Sequence, residues 1–174
     1  DIGPNEMGMG GSSNVGNAIT INGSGNIIAI AGAPGSDVCI FQYSTPGVIG
    51  GTWLKLDSKV TAYSGSDGNG FSISLNDNGD TLIVGAPGND TNGNNIGLVR
   101  IYKVPIVSSQ QLQTIITNSG TSIPVGDAAL QQLGGNIYGE TASDFIGHSV
   151  RLNNNGSIIA IGGPQSGVGA GVVS

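Results

Sequence analysis

Basic residues are scarce in this sequence. Of its 174 residues, 5 are Lys or Arg and 11 are Asp or Glu, which gives a formal net charge of −6. Proteins that bind nucleic acid neutralise its phosphates with clustered Lys and Arg side chains. Five basic residues cannot form such a stripe, so the composition argues against a nucleic acid partner.

Long apolar runs, cysteine pairs and histidine clusters are also missing. No stretch approaches the roughly 20 apolar residues of a membrane-spanning helix, so we expect no membrane insertion. Cys39 is the one cysteine, which excludes an internal disulfide. Its place in the strand-like segment 38–41 predicts a small buried or edge thiol rather than a reactive one.

The sequence does contain a segment that occurs three times. Residues 70–87 alternate apolar and small polar side chains, pass through a polar turn, and continue as an apolar run that ends at Gly-Ala-Pro. The alternation is typical of a half-buried strand, and the apolar run of a strand covered on both faces. Related segments begin at Gly16 and Gly147, 54 residues before and 77 residues after Gly70.

The repeats predict an all-β chain made of β-propeller blades. Each copy supplies two strands, and segments 38–43, 53–56, 97–104 and 130–133 supply further strands of a four-stranded unit. About fifty residues per four-stranded repeat is typical of a propeller, which has about 4–8 blades. Three repeats fall short of a ring, so we expect a part of a larger propeller, completed by further blades of the same or a neighbouring chain.

The repeat register also gives the expected boundaries. Residues 105–129 interrupt the second repeat as an insertion, in which 110–117 form a strand or a short helix. The expected division is an N-terminal loop or end of a preceding blade at 1–14, repeat 1 at 15–66, repeat 2 at 67–143, and a truncated repeat 3 at 144–174.

These motifs resemble the FG-GAP repeats of integrin α-subunit propellers. Gly70-Phe71-Ser72-Ile73 stands where that family has Phe-Gly-x-Ser-Val, and Gly85-Ala86-Pro87 is similar to its Gly-Ala-Pro. The chain is more similar to a divergent group of FG-GAP-like repeats in bacterial, algal and large-virus surface proteins, through residues 53–56, 89–93 and 97–102. The resemblance implies a propeller fold and a structural or adhesive role.

The resemblance also implies a candidate calcium site. FG-GAP propellers often bind calcium through a loop between their first two strands, and the matching positions here are Asn76, Asn78 and Asp80. Calcium takes about six to eight oxygen ligands, several of them carboxylates. Asp80 is the one carboxylate among the three, and the loop has the length of a plain hairpin turn. A calcium site and a purely structural turn are both open expectations.

The longest polar connection inside a repeat runs from Asn89 to Asn95. Its residues Asn89, Asp90 and Asn92 are candidate contacts for a ligand or partner, with a merely solvated loop as the alternative. N-glycosylation triplets begin at Asn22, Asn89 and Asn155. All three fall in predicted turns where we expect them to be accessible, which favours a secreted context.

The remaining titratable candidates favour structural roles. His148 stands where the preceding repeat has Phe71, so we expect it at the surface or between repeats. Asp67 and Asp144 hold equivalent positions on different repeats. Glycosidase carboxylates lie within about 5–10 Å of each other, so two aspartates a blade apart are better interpreted as turn residues that bond backbone.

Three aromatic residues are candidates for stacking on carbohydrate. They are Trp53, Tyr63 and Tyr138. Trp53 aligns with Leu130 of the next repeat, which favours core packing for that residue.

The expected function is therefore that of a non-catalytic structural or adhesive propeller segment that contacts proteins or glycans. We expect it on a cell, filament or virion surface, outside the cell. The first alternative is an extracellular hydrolase or lyase on a propeller scaffold, with its active site in other blades. The second is a calcium-dependent glycan-binding module. No catalytic residue is predicted, and calcium is the one candidate cofactor.

Overall fold

A computed structural model describes residues 15–32, 37–44, 51–61, 67–118, 122–123 and 130–164. Within these ranges the chain forms eleven strands, one helix and three sheets, so the predicted all-β class is confirmed. The elements in chain order are β1 (Ala18–Ile21), β2 (Ile27–Ala31), β3 (Val38–Tyr43), β4 (Trp53–Val60), β5 (Ser72–Leu75), β6 (Thr81–Ala86), β7 (Leu98–Lys103), α1 (Ser109–Thr117), β8 (Ser122–Ile123), β9 (Gln131–Tyr138), β10 (Ser149–Leu152) and β11 (Ile159–Gly162).

The three sheets repeat one topology, and we call them blades 1, 2 and 3. Blade 1 has the strand order β1-β2-β3-β4, blade 2 has β5-β6-β7-β9, and blade 3 is described as the hairpin β10-β11. The hairpin registers agree, because Ser72 lies opposite Gly85 in blade 2 and Ser149 lies opposite Gly162 in blade 3. The repeat that the sequence predicted is therefore a repeat of structure.

The cores lie between the blades. The alternating apolar residues of β2, β3 and β4 in blade 1 share one buried cluster with residues of β5 and β6 in blade 2. A second cluster joins β6 and β7 of blade 2 to β10 and β11 of blade 3. Leu82, Ile83 and Val84 are all at most 1% exposed, which confirms that β6 is covered on both faces.

The insertion after β7 contains a helix, which settles the choice between strand and helix for 110–117. Helix α1 begins with a capping box, in which the Ser108 side chain accepts from the Gln111 amide and the Gln111 side chain accepts from the Ser108 amide. Leu112 is 1% exposed and belongs to the core between blades 1 and 2. The insertion belongs to repeat 2 in sequence and packs on repeat 1 in space.

Two further contacts fix the insertion on blade 1. The short strand β8 pairs in parallel with the outer strand β4, with Ile123 opposite Leu56. The side chain of Gln42 donates to the Val107 carbonyl oxygen at 2.7 Å and accepts from the Val107 N–H at 3.1 Å. The insertion therefore spans from the end of β7 in blade 2 to the edge of blade 1.

The expected fourth strands, 53–56 and 130–133, stop too early. The observed strands β4 and β9 continue to Val60 and Tyr138. Five of the eight residues of β9 are exposed, and because an antiparallel strand can face water, no apolar pattern marks its full length in the sequence. The expected N-terminal loop at 1–14 and the end of repeat 3 after residue 164 lie outside the described residues.

Candidate functional site: the turn rim and the loop rim

Antiparallel connections place the polar candidates at two opposite ends of the blades. The turns between first and second strands form what we call the turn rim, residues 22–26, 76–80 and 153–157. The residues that enter blades 2 and 3, together with the long connection after β6, form the loop rim, residues 67–70, 87–97 and 144–147. The calcium candidates lie on the turn rim and the partner-loop candidates on the loop rim.

One asparagine closes each turn of the turn rim in the same way. Its side-chain oxygen Oδ1 accepts a hydrogen bond from the backbone N–H five residues later. The bonds join Asn22 to Ile27 at 2.8 Å, Asn76 to Thr81 at 3.0 Å, and Asn153 to Ile158 at 2.9 Å. An asparagine that satisfies backbone donors in this way is a structural turn residue.

Two of the three candidate calcium ligands, Asn76 and Asp80, already form hydrogen bonds within the protein. The Asn76 amide donates to Asp80 Oδ1 at 2.7 Å, and Lys103 Nζ lies 2.6 Å from Asp80 Oδ2. The hydrogen bond from Lys103, followed by that from Asn76, lowers the pKa of Asp80. A lysine ammonium thus stands where a cation would approach, and Asn78 is exposed beside it. This geometry favours the structural turn, and calcium binding stays a prediction.

The 89–95 loop is held at both ends. Asn89 is 1% exposed, and its side-chain amide donates to Asp67 Oδ2 at 2.9 Å. Asp90 Oδ1 accepts from the N–H of Asn95 at 2.6 Å across the loop. The loop carbonyls of Asn94 and Asn95 accept from the N–H groups of Ser143 at 2.8 Å and Phe145 at 3.0 Å, at the entrance to blade 3. The loop therefore connects blades 2 and 3 through hydrogen bonds. Its side chains of Asp90, Thr91 and Asn92 are exposed.

Residues 55–102 match the FG-GAP repeat family. This is an FG-GAP-like repeat protein. The matched segment begins in β4, contains β5 and β6, and ends at Tyr102 in β7, so blade 2 supplies most of it. FG-GAP repeats are propeller blades, in agreement with the strand order. The glycine of Gly-Ala-Pro is required by close approach, because a Cβ at Gly85 would overlap the Gly147 carbonyl oxygen of blade 3.

The FG-GAP-like chain is also similar to solved structures. The match to hydrazine synthase from Kuenenia stuttgartiensis covers 90% of this chain and 44% of the other, at 14% identity and a TM-score of 0.45. The match to a putative 6-phosphogluconolactonase from Bacteroides fragilis covers 89% of this chain and 36% of the other, at 17% identity and a TM-score of 0.44. The chain spans less than half the length of either protein. These likenesses are too low to carry an argument about activity, and no curated protein sequence matches.

Burial corrects the expectation about glycosylation in this FG-GAP-like chain. Asn22 is 4% exposed, and its amide donates to Ser24 and Asn26 at 2.9 and 2.8 Å. Asn89 is bonded to Asp67, as described. The expectation that all three acceptors are accessible is therefore wrong for Asn22 and Asn89, because both side chains bond residues distant in the chain: Asn22 donates to the Asp77 carbonyl oxygen at 3.3 Å, and Asn89 donates to Asp67. Asn155 is exposed and stays a candidate.

The remaining titratable candidates of the FG-GAP-like repeats have structural partners. The ring centroids of His148 and Phe71 are 4.7 Å apart, so the two equivalent residues meet where blades 2 and 3 adjoin. The Asp144 carboxylate accepts from the N–H groups of Glu140 and Thr141, both at 2.8 Å, as predicted for a turn residue. The Asp67 carboxylate differs, since its bond is to a side-chain amide.

The side chains of Trp53 and Tyr138 are half-buried, and that of Cys39 is buried. Trp53 packs on Tyr43 with ring centroids 5.1 Å apart, in line with the expected packing role. The Tyr138 hydroxyl accepts from the Asn136 amide at 2.8 Å, and its side chain is half-buried. Tyr63 lies outside the described residues. Cys39 is 1% exposed in β3, and burial raises the pKa of its thiol.

Sequence reasoning missed the hydroxyl groups that join neighbouring FG-GAP-like blades. Thr20 Oγ1 accepts from the N–H of Leu75 at 3.1 Å, and Ser74 Oγ accepts from the N–H of Leu152 at 3.1 Å. Small hydroxyl residues between the apolar positions of the inner strands were the available signal.

Neither a membrane helix nor a metal-ligand cluster is found in the described ranges. No helix there is long and apolar enough to cross a membrane. No group of three or more His, Cys, Asp and Glu side chains that could hold a metal ion occurs there either.

Proposed function

We propose that this FG-GAP-like chain is a non-catalytic structural or adhesive module that contacts protein or glycan partners through its loop rim. The observation that carries this proposal is the 89–95 loop, which is fixed by hydrogen bonds to both blades and exposes the side chains of Asp90, Thr91 and Asn92. A loop fixed at both ends loses little conformational entropy on binding, which favours a recognition role.

The hydrogen-bonding of the carboxylates supports a non-catalytic role. Asp67, Asp80 and Asp144 are each engaged by neighbouring amide, ammonium or backbone groups. A general acid or base needs its proton-transfer atom within reach of a substrate. These three side chains instead stabilise the loops that they belong to.

We propose an extracellular, cell-surface or virion-surface location on the strength of Asn155. Its triplet, Asn155-Gly156-Ser157, lies in an exposed turn. Expression through a eukaryotic secretory pathway should add one enzyme-removable N-glycan, which Asn155→Gln abolishes and Asn22→Gln does not. An unglycosylated secreted chain would remove this support.

Binding measurements test the proposed role. The immobilised chain is probed with a glycan array and with purified surface glycoproteins, before and after enzymatic deglycosylation. Asp90→Ala and Asn92→Ala should weaken any selected interaction by about tenfold, the effect of losing one good interface contact. Asn78→Ala, an equally exposed asparagine on the turn rim, is the matched control and should leave binding unchanged.

The same experiment separates the alternatives. Binding that disappears on chelation and returns with calcium would favour the calcium-dependent glycan module. Glycan cleavage detected by mass spectrometry would favour the enzyme. Binding that survives both loop-rim substitutions but fails with Asn78→Ala would overturn the assignment to the loop rim.

A further inference from the structure

Five asparagines in this chain directly precede a glycine. They are Asn22, Asn69, Asn78, Asn92 and Asn155. An asparagine side chain can be attacked by the backbone nitrogen of the next residue, and glycine obstructs this attack least because it has no side chain. The attack ends in aspartate or isoaspartate without the help of an enzyme, which makes asparagine a thermolabile residue. The dipeptide itself ranks the five sites equally, whereas their surroundings in the structure differ.

Two of the five side chains are buried and held by hydrogen bonds. Asn22 is 4% exposed, and its Oδ1 accepts from the N–H of Ile27 at 2.8 Å. Asn69 is 1% exposed, and its Oδ1 accepts from Arg100 Nη2 at 2.6 Å. The attack requires the amide to turn toward the next backbone nitrogen, which would leave these buried partners unsatisfied. The fold therefore protects Asn22 and Asn69.

Asn78 and Asn155 are exposed, but the glycine after each is fixed in its hairpin turn. The N–H groups of Gly79 and Gly156 each donate at 3.0 Å to the carbonyl oxygen of the asparagine that opens the turn. A Cβ at Gly79 would lie 2.7 Å from a side chain of blade 1, and a Cβ at Gly156 would lie 3.1 Å from the turn of blade 2. Neither nitrogen can reach the amide carbon unless the turn opens and the contact between two blades is disturbed.

The pair Asn92-Gly93 is less restrained than the other four. Asn92 is exposed, and its side chain forms no hydrogen bond among the residues that the structure describes. The Gly93 N–H donates to the Asp90 carbonyl oxygen at 3.3 Å, a longer bond than those in the hairpin turns. Within the described chain, a Cβ at Gly93 would meet Ile96 of the same connection and no other residue within 4 Å. The Gly93 nitrogen can therefore move without disturbing another blade.

We propose that Asn92 is the residue at which this chain deamidates. The Gly93 nitrogen bonds to Asn92 Cγ, the bond from Cγ to Nδ2 breaks, and ammonia leaves with the proton that the Gly93 nitrogen carried. Water then adds to one of the two carbonyl carbons of the cyclic imide and opens it. Opening at Cγ gives aspartate, and opening at the backbone carbonyl carbon gives isoaspartate. The proposal rests on the geometry of the loop and is independent of the proposed adhesive role.

Both products change the loop rim. Each replaces a neutral amide by a carboxylate, two residues from Asp90, in a chain whose net charge is already −6. Isoaspartate also lengthens the backbone before Gly93 by one methylene. The carbonyls of Asn94 and Asn95, which follow directly, accept the hydrogen bonds that join this loop to blade 3. Isoaspartate therefore weakens the connection between blades 2 and 3, whereas aspartate leaves the backbone unchanged.

Incubation of the folded chain at mildly alkaline pH, sampled over days and followed by peptide mass spectrometry, tests the site. Asn92 should lose ammonia about tenfold faster than Asn78 or Asn155, the factor that one intact turn hydrogen bond can supply. Asn78 and Asn155 are matched controls, because both are exposed and precede glycine. In guanidinium chloride, the five asparagines should react at similar rates, which separates the effect of the fold from that of the neighbouring sequence.

Two variants separate the chemistry from its consequence. Asn92→Gln should remove the fast loss of ammonia, because the longer side chain would have to close a larger ring. Asn92→Asp carries the new charge without the extra methylene, so the aged wild type should unfold at a lower urea concentration than Asn92→Asp. Equal rates at Asn78, Asn92 and Asn155 in the folded chain, or a faster site elsewhere, would overturn the proposed site. An aged wild type that contains isoaspartate and unfolds with Asn92→Asp would overturn its proposed effect on the blades.

Discussion

At the residue scale, the glycines of the turn rim are required for two different reasons, backbone conformation and close packing. Gly25 and Gly79 hold equivalent positions with φ of +71° and +77°, a conformation that costs an L-residue about 1–2 kcal/mol. A Cβ at Gly25 would meet its nearest neighbour at 3.9 Å, whereas a Cβ at Gly79 would lie 2.7 Å from Ile27 Cδ1 of blade 1. Gly79 is therefore required by the packing of blade 2 on blade 1 as well as by its backbone.

This pair of glycines gives the first prediction. Gly25→Ala should lower the free energy of unfolding by about 1–2 kcal/mol, from backbone strain alone. Gly79→Ala should lower it by about 1–3 kcal/mol more, because the added methyl overpacks the junction. Urea titrations followed by circular dichroism measure both. Equal losses in the two variants would show that the junction at Ile27 yields without cost.

The Asp80–Lys103 pair gives a prediction about pH. The hydrogen bond from Lys103 lowers the pKa of Asp80, so the native state favours the ionised carboxylate. The pair therefore contributes stability above the unfolded pKa of about 3.9, and this contribution is lost as the pH falls through the lower native pKa. Because Lys103 is half exposed, we expect Asp80→Asn to cost at most about 1 kcal/mol at neutral pH.

Urea unfolding of wild type and Asp80→Asn from neutral to strongly acidic pH checks this sign. The difference in unfolding free energy should shrink toward zero at the lowest pH. Asp77→Asn is the control, since Asp77 is an exposed carboxylate in the same turn. A difference that grows as the pH falls would contradict the assignment of Lys103 as the dominant partner.

At the scale of elements, the inserted helix packs against the core that blades 1 and 2 share. Leu112 lies in the core between blades 1 and 2, at 1% exposure. Leu112→Ala should therefore lower the unfolding free energy by about 2–4 kcal/mol, as for other buried leucines. Gln113→Ala, an exposed neighbour on the same helix, should change it by less than about 0.5 kcal/mol. A small effect at Leu112 would mean that the helix docks without stabilising the blades.

How far the sequence predicts these elements depends on the range of the interactions. The hairpins follow from local alternation and turn residues, and the Ser108-x-x-Gln111 capping box is a local signal for α1. The docking of the insertion on blade 1 depends on the contacts of Val107 with Gln42 and of Ile123 with Leu56, and each pair is more than fifty residues apart in the chain. No local pattern reports such a pairing. For the same reason, the burial of Asn22 and Asn89 could not be read from their polar surroundings.

At the scale of the molecule, blade 2 belongs to both cores, so the blades should unfold together. Repeat arrays unfold as one unit when the junctions between neighbours are strong relative to each repeat. Trp53 is the one tryptophan and lies on blade 1, so its fluorescence reports on the blade farthest from the second core. A substitution between blades 2 and 3 thus tests coupling across the whole array.

Leu152→Ala is that substitution, because Leu152 is 7% exposed in the core between blades 2 and 3. It should lower the unfolding free energy by about 2–3 kcal/mol. If the cores are coupled, the urea midpoint of Trp53 fluorescence falls by the same amount as the midpoint of far-ultraviolet circular dichroism. Gln131→Ala on the exposed strand β9 should move neither midpoint. A Trp53 midpoint that stays in place while circular dichroism shows an earlier transition would mean that blade 3 unfolds independently, and that each junction holds its two blades without transmitting stability further.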